Sequence, residues 1–141
     1  MNNILLIHAF SCWFMTGAIW LVQVLVYPFF RLVGEKEFTP LHQFHMKQIT
    51  WVVAPVMLVE LVTSAWLLYS NKNILYLCNF VSVGSLWIMT AFINVPTHNK
   101  LRFSAIDSKY KLVSNNWPRT VIWTFRSLIL IPGLFCMAGL L

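Results

Sequence analysis

Charge is scarce in this chain. Only 10% of its 141 residues are charged, against roughly 25% in a soluble domain. Hydrophobic residues make up 59%. A chain this short has no water-soluble core large enough to hide so much apolar surface, which excludes an ordinary soluble domain and makes a membrane protein the default. Acidic residues are the rarest, four against ten basic ones. The basic residues sit between apolar runs, and no aromatic-and-basic platform for bases accompanies them. They argue for topology signalling and contact with membrane lipid, and against nucleic acid. Cysteine is limited to Cys12, Cys78 and Cys136, each alone in an apolar run. Without CxxC or HExxH spacing there is no disulfide framework and no thiolate metal cluster, and the three read as buried, inert thiols. Strict alternation is missing, which excludes a barrel strand pattern. No repeat, low-complexity tract or soluble appendage is evident. The first apolar run has no basic residue ahead of it and is too long for a signal-peptide core, so it reads as a span.

Four apolar runs remain: about Ile4–Phe30, Ile49–Tyr69, Ile74–Val95 and Val121–Leu141. Each reaches the ~20 residues that a helix needs to cross a ~30 Å hydrocarbon core. With their flanks they predict spans over about 4–30, 41–69, 74–96 and 118–140. The predicted fold is all-α, one domain, a four-helix transmembrane bundle running up-down-up-down. Thr39-Pro40 reads as the start of the second helix and Asn116-Trp117-Pro118 as the start of the fourth, each with a polar cap and an early proline. Pro55 predicts a kink. Ser70-Asn71-Lys72-Asn73 predicts a tight turn. The one-two and three-four connections carry Arg31, Lys36, Lys47, Lys100, Arg102, Lys109, Lys111 and Arg119, and the opposite side carries only Lys72. The positive-inside rule then predicts a bacterial inner-membrane protein with both termini outside and both long connections cytoplasmic.

Each span also carries polar residues that hydrocarbon cannot satisfy, so they must face one another or enclosed water. His42 and His45 open the second helix, Asn94 and His98 close the third, Gln23 lies in the same half of the first, and Arg119 and Arg126 open the fourth. The expectation is a polar gathering in one half of the bilayer, with interhelical glue and a true cavity both open. Gly17, beside Thr16, allows a close helix approach. His8, near the opposite surface, reads as structural. Glu60, in the middle of an apolar run, has three readings: ion-pair partner of Arg126, proton carrier or metal ligand. The ion pair is preferred. An i, i+3 pair such as His42 and His45 presents two rings to one ion, with His98 as a third ligand, which suits copper, iron or haem. Trp20, Trp51, Trp87 and Trp123 read mainly as belt and packing residues, with an apolar pocket wall as the alternative.

The segments TGAIWLVQVLVYPFF, FINVPTHNKL and NWPRTVIWTFRSLIL resemble the anthrone-oxygenase-like family of small four-span membrane proteins. Asn94-Val95-Pro96 and Trp117 with Arg119 match its motifs best, while Thr97-His98 stands where a typical member continues NVPLN. The resemblance implies the four-span architecture and redox chemistry near Asn94 and Arg119. The leading expectation is therefore a small membrane oxidoreductase or oxygenase acting on an apolar, membrane-soluble substrate. Its metal or haem would be held by His42, His45 and His98. Gln23, Asn94 and Arg119 would surround the cofactor, and Glu60 and Arg126 would order the cavity or move a proton. A small carrier or lipid-binding bundle with a polar intramembrane cavity competes with it, as does a non-catalytic accessory subunit.

Overall fold

The structure, a computed structural model, describes residues 2–100 and 106–137, with side chains from 3 to 98 and from 111 to 131. Helix accounts for nearly all of it, and no strand occurs among the described residues. Four rods form a bundle. The first comprises α1 (Asn2–Leu21), a five-residue π turn (Val22–Val26) and α2 (Tyr27–Leu32). The second is α3 (Glu35–Asn71). The third comprises α4 (Ile74–Met89), a second π turn (Thr90–Asn94) and α5 (Val95–Lys100). The fourth is α6 (Ile106–Met137). Helix α1 packs on α3 and α6, and α4 also packs on α3 and α6.

The two π turns have the same local cause. Proline lacks the N–H that an α-helix interior requires, and its ring crowds the carbonyl four residues back. One residue ahead of Pro28, the chain widens: the Tyr27 N–H reaches the Val22 carbonyl. One residue ahead of Pro96, the Val95 N–H reaches the Thr90 carbonyl. The VYP and NVP stretches thus build the same wide turn in two rods.

Three helix boundaries differ from expectation. Helix α3 starts at Glu35, not at Thr39-Pro40, and Pro40 lies inside it. Glu35 and Glu37 fall in its first turn, where negative charge meets the positive end of the helix dipole. Helix α6 starts at Ile106 and runs straight through Asn116-Trp117-Pro118. Asn116 is no cap: its side chain is fully buried and bonded to another rod. The third rod continues past Pro96 to Lys100. The turn between α3 and α4 is as expected. Lys72 adopts φ 44 and donates to the Leu68 carbonyl at 2.9 Å, while the Asn73 side chain accepts from the Tyr76 N–H and caps α4. Pro55 lies within a continuous α3. Gly17 makes no close approach, since nothing lies within 4 Å of where its Cβ would stand.

The distribution of side chains is inverted relative to a soluble protein. Among the described residues, fourteen buried polar or charged side chains match fourteen buried apolar ones, while Phe10, Leu32, Trp51, Tyr69 and Phe92 stand on the outside. Among the described residues, three helical stretches, Asn3–Leu32, Glu35–Asn71 and Ile74–His98, are long and apolar enough to cross a membrane. The fourth predicted span ends beyond the described residues. Cys12 is buried as expected, but Cys78 faces outward on α4. Cys136 lies outside the described side chains.

Candidate functional site

The buried polar residues form two clusters rather than one. Helical rise puts His42 and Glu60 ~27 Å apart along α3, so each belongs to its own cluster. Between them lies an apolar layer of Met15, Ile19, Met57 and Leu86 with Trp123.

The first cluster is built around Glu60, which is 1% exposed. Its Oε1 accepts from Arg126 Nη1 at 2.5 Å, and its Oε2 accepts from Trp123 Nε1 at 3.1 Å. The other edge of Arg126, Nε and Nη2, donates to Asn79 Oδ1, both at 3.2 Å. His8 closes the network. Its Nε2 takes the Asn79 Nδ2 donor at 3.0 Å and lies 3.4 Å from Arg126 Nη2, which assigns the proton to Nδ1 and directs it to Thr63 Oγ1 at 2.8 Å. The preferred pairing of Glu60 with Arg126 is present. His8, expected to be structural, is a fully buried member of this cluster, and Asn79, absent from the expected site, is its hub.

The second cluster gathers Gln23, His42, Asn94, His98, Asn116 and Arg119, all buried. Gln23 Nε2 donates to the Val113 carbonyl at 3.1 Å, and its Oε1 accepts from Asn116 Nδ2 at 2.8 Å. Asn116 Oδ1 in turn faces Arg119 Nη1 at 3.4 Å. With the Asn94 amide turned so that its oxygen meets the cation, it accepts from Arg119 Nη1 at 2.7 Å and donates to the Met89 carbonyl at 3.1 Å. Gln23, Asn94 and Arg119 therefore do come together. The sequence does not point to Asn116 as their link, because its Asn-x-Pro context imitates a helix cap.

The three histidines do not form a ligand set. His42 Nε2 and His98 Nδ1 are hydrogen-bonded to each other at 2.8 Å, and His98 Nε2 lies 3.3 Å from the Tyr27 hydroxyl. The ring of His42 stacks on Phe38 and His98, and the ring of His45 packs edge-on against Phe30. The His42–His98 bond occupies the lone pair that one of the two imidazoles would offer an ion. Among the described residues no group of three His, Cys, Asp or Glu side chains is placed to hold a metal. Glu60, in the other cluster, is too far away to join them.

A cavity of about 210 Å³ lies beside the second cluster. All four rods contribute to its wall, including Met15 and Val22 from the first, His45 and Met57 from the second, Trp87, Asn94 and His98 from the third, and Arg119 from the fourth. Both π turns touch it, through Val22 and through Thr90 and Asn94, and π segments commonly mark functional sites. Thr50, Ala54 and Val95 line it and are also exposed on the outer surface, so they form its mouth between the second and third rods. Of the four tryptophans considered for a pocket wall, Trp87 takes that place. Trp20 and Trp51 face outward, and Trp123 is wholly buried.

Two donors in this wall are left over. The Trp87 Nε1 and the Arg119 Nε are both buried without a hydrogen-bond partner among the described residues. Arg119 is 8% exposed. Its guanidinium lies 5.2 Å from the ring centroid of Trp123, the indole whose N–H holds Glu60. Comparison of the chain with models of known protein families, with curated proteins and with solved structures finds no match to any of the three.

Proposed function

We propose that this chain is an integral membrane protein that binds a small apolar molecule, taken laterally from the bilayer, in the cavity between its rods. The observation that carries the reading is the cavity itself: apolar in most of its wall, flanked by a polar cluster, and opening between two rods on a face that is otherwise hydrophobic. Ligand sites of helical bundles take this form, with a few polar groups set in an apolar wall. The outward-facing aromatic and aliphatic residues suit lipid, and the inward polar network suits the requirement that hydrocarbon leaves no polar group unpaired.

The redox reading draws no support from the histidines, because His42 and His98 bond each other and His45 packs against an aromatic ring. Glu60 and Arg126 are likewise satisfied within their own network and serve the bundle's cohesion. Binding, as in a small carrier or lipid-ligand protein, is what the remaining geometry favours. The test uses a diazirine-bearing octanol photoactivated against the protein in phosphatidylcholine nanodiscs. Adducts on Met57, Trp87 or Thr90 that unlabelled octanol suppresses are expected, and Ala54→Trp at the mouth is expected to reduce them at least ten-fold. Labelling confined to the outer face, unaffected by competitor, overturns the reading and leaves the polar clusters as interhelical glue.

A further inference from the structure

The two buried arginines among the described residues, Arg119 and Arg126, differ in one respect. Arg126 spends its Nη1 on Glu60 and both Nε and Nη2 on the Asn79 oxygen, so every edge of its guanidinium is satisfied. Arg119 has only its Nη1 engaged, by Asn94 and Asn116. Its Nε has no partner, and no acceptor among the described residues bonds its Nη2. Those two nitrogens form the fork that receives both oxygens of a carboxylate. No carboxylate among the described residues pairs with this cation: Glu60, the buried one, is taken by Arg126. An unpaired cation in an apolar interior is expensive, and the face of Trp123 offsets only part of that cost. The Asn94 and Asn116 contacts hold the guanidinium by one corner and leave the fork free. Trp87 adds a second unpaired N–H to the same cavity wall.

We infer that the missing partner is the carboxylate of a small, membrane-soluble monocarboxylic acid, bound with its oxygens on Arg119 and its hydrocarbon against Met15, Met57 and Ile19. This rests on the cavity reading above and names its ligand class. The size agrees: about 210 Å³ is below the ~300–1,000 Å³ of sites for drug-sized molecules, so a short chain or a single ring fits and a two-chain lipid does not.

The same photolabelling assay tests this, with octanoate and octanol as competitors at pH 8 and concentrations expressed per bilayer volume. Octanoate is expected to suppress cavity adducts at a concentration at least ten-fold lower than octanol. In Arg119→Gln that advantage is expected to vanish while the alcohol still labels and still competes. Trp87→Phe, which keeps the ring and removes the N–H, is expected to shrink the advantage several-fold. Equal potency of octanoate and octanol in the unmodified protein, with cavity adducts present, overturns the carboxylate assignment and spares the cavity. Absence of any competable cavity adduct overturns the cavity reading itself. If Arg119→Gln does not fold, the octanoate-to-octanol ratio of the unmodified protein and the Trp87→Phe variant decide the matter.

Discussion

At the scale of the residue, Glu60 uses both carboxylate oxygens, one on Arg126 and one on Trp123. Removing one member of such a buried pair strands the other charge, at a cost of ~3–5 kcal/mol. Glu60→Gln is therefore expected to lower the unfolding midpoint in mild detergent sharply. Glu60→Leu combined with Arg126→Met is expected to recover most of the loss, and a double-mutant cycle measures the coupling. The histidines make a second contrast. His98→Phe removes the hydrogen bonds that His42 and Tyr27 make to its ring and is expected to destabilise by ~1–3 kcal/mol, whereas His45→Phe, already packed against Phe30, changes stability little. The Glu60–Arg126 pair is legible in the sequence because hydrocarbon forbids a lone carboxylate, and few cations lie at a reachable depth. The His42–His98 bond is not. Spacing along α3 shows that His42 and His45 are neighbours, but each imidazole's partner is chosen by the rod it faces, which no single helical period records.

At the scale of the element, two prolines set the bore of the bundle beside the cavity. Pro28 and Pro96 each follow a π turn whose residues reach the cavity wall. Pro96→Ala restores the missing N–H and favours ordinary α geometry, which turns Thr90 and Asn94 relative to the wall. The expected result is equal or greater thermal stability with several-fold weaker photolabelling of the cavity. Gly17 and Gly84 have open space around the Cβ position, so alanine at either is expected to stabilise the helix by up to ~1 kcal/mol with labelling unchanged. Rod identity was readable from the apolar runs, but rod beginnings were not. Asn116-Trp117-Pro118 and Thr39-Pro40 carry sound local stop-and-start signals. Asn116 is overruled by its bond to Gln23, and Thr39-Pro40 by Glu35 and Glu37, which favour the earlier start of α3 at the dipole's positive end. The outcome at Asn116 depends on which rod the segment packs against, which local chemistry does not encode.

At the scale of the molecule, the loop charges and the inverted polarity make one prediction together. With the native thiols replaced, a cysteine at Lys72 is expected to react with a membrane-impermeant maleimide in intact cells, and a cysteine at Lys36 only after lysis; the reverse pattern would overturn the orientation expected from the loop charges. Of the two buried arginines among the described residues, Arg126 is satisfied on every edge and Arg119 is not; an apolar layer separates them, and Trp123 touches both networks. Its indole N–H is fixed on Glu60, and its ring lies beneath Arg119. That shared ring is a built-in voltmeter. Neutralising Arg119 with a bound anion changes the field across the indole, so the fluorine resonance of a fluorotryptophan at position 123 should shift on ligand addition, with no dye attached and no catalytic turnover needed.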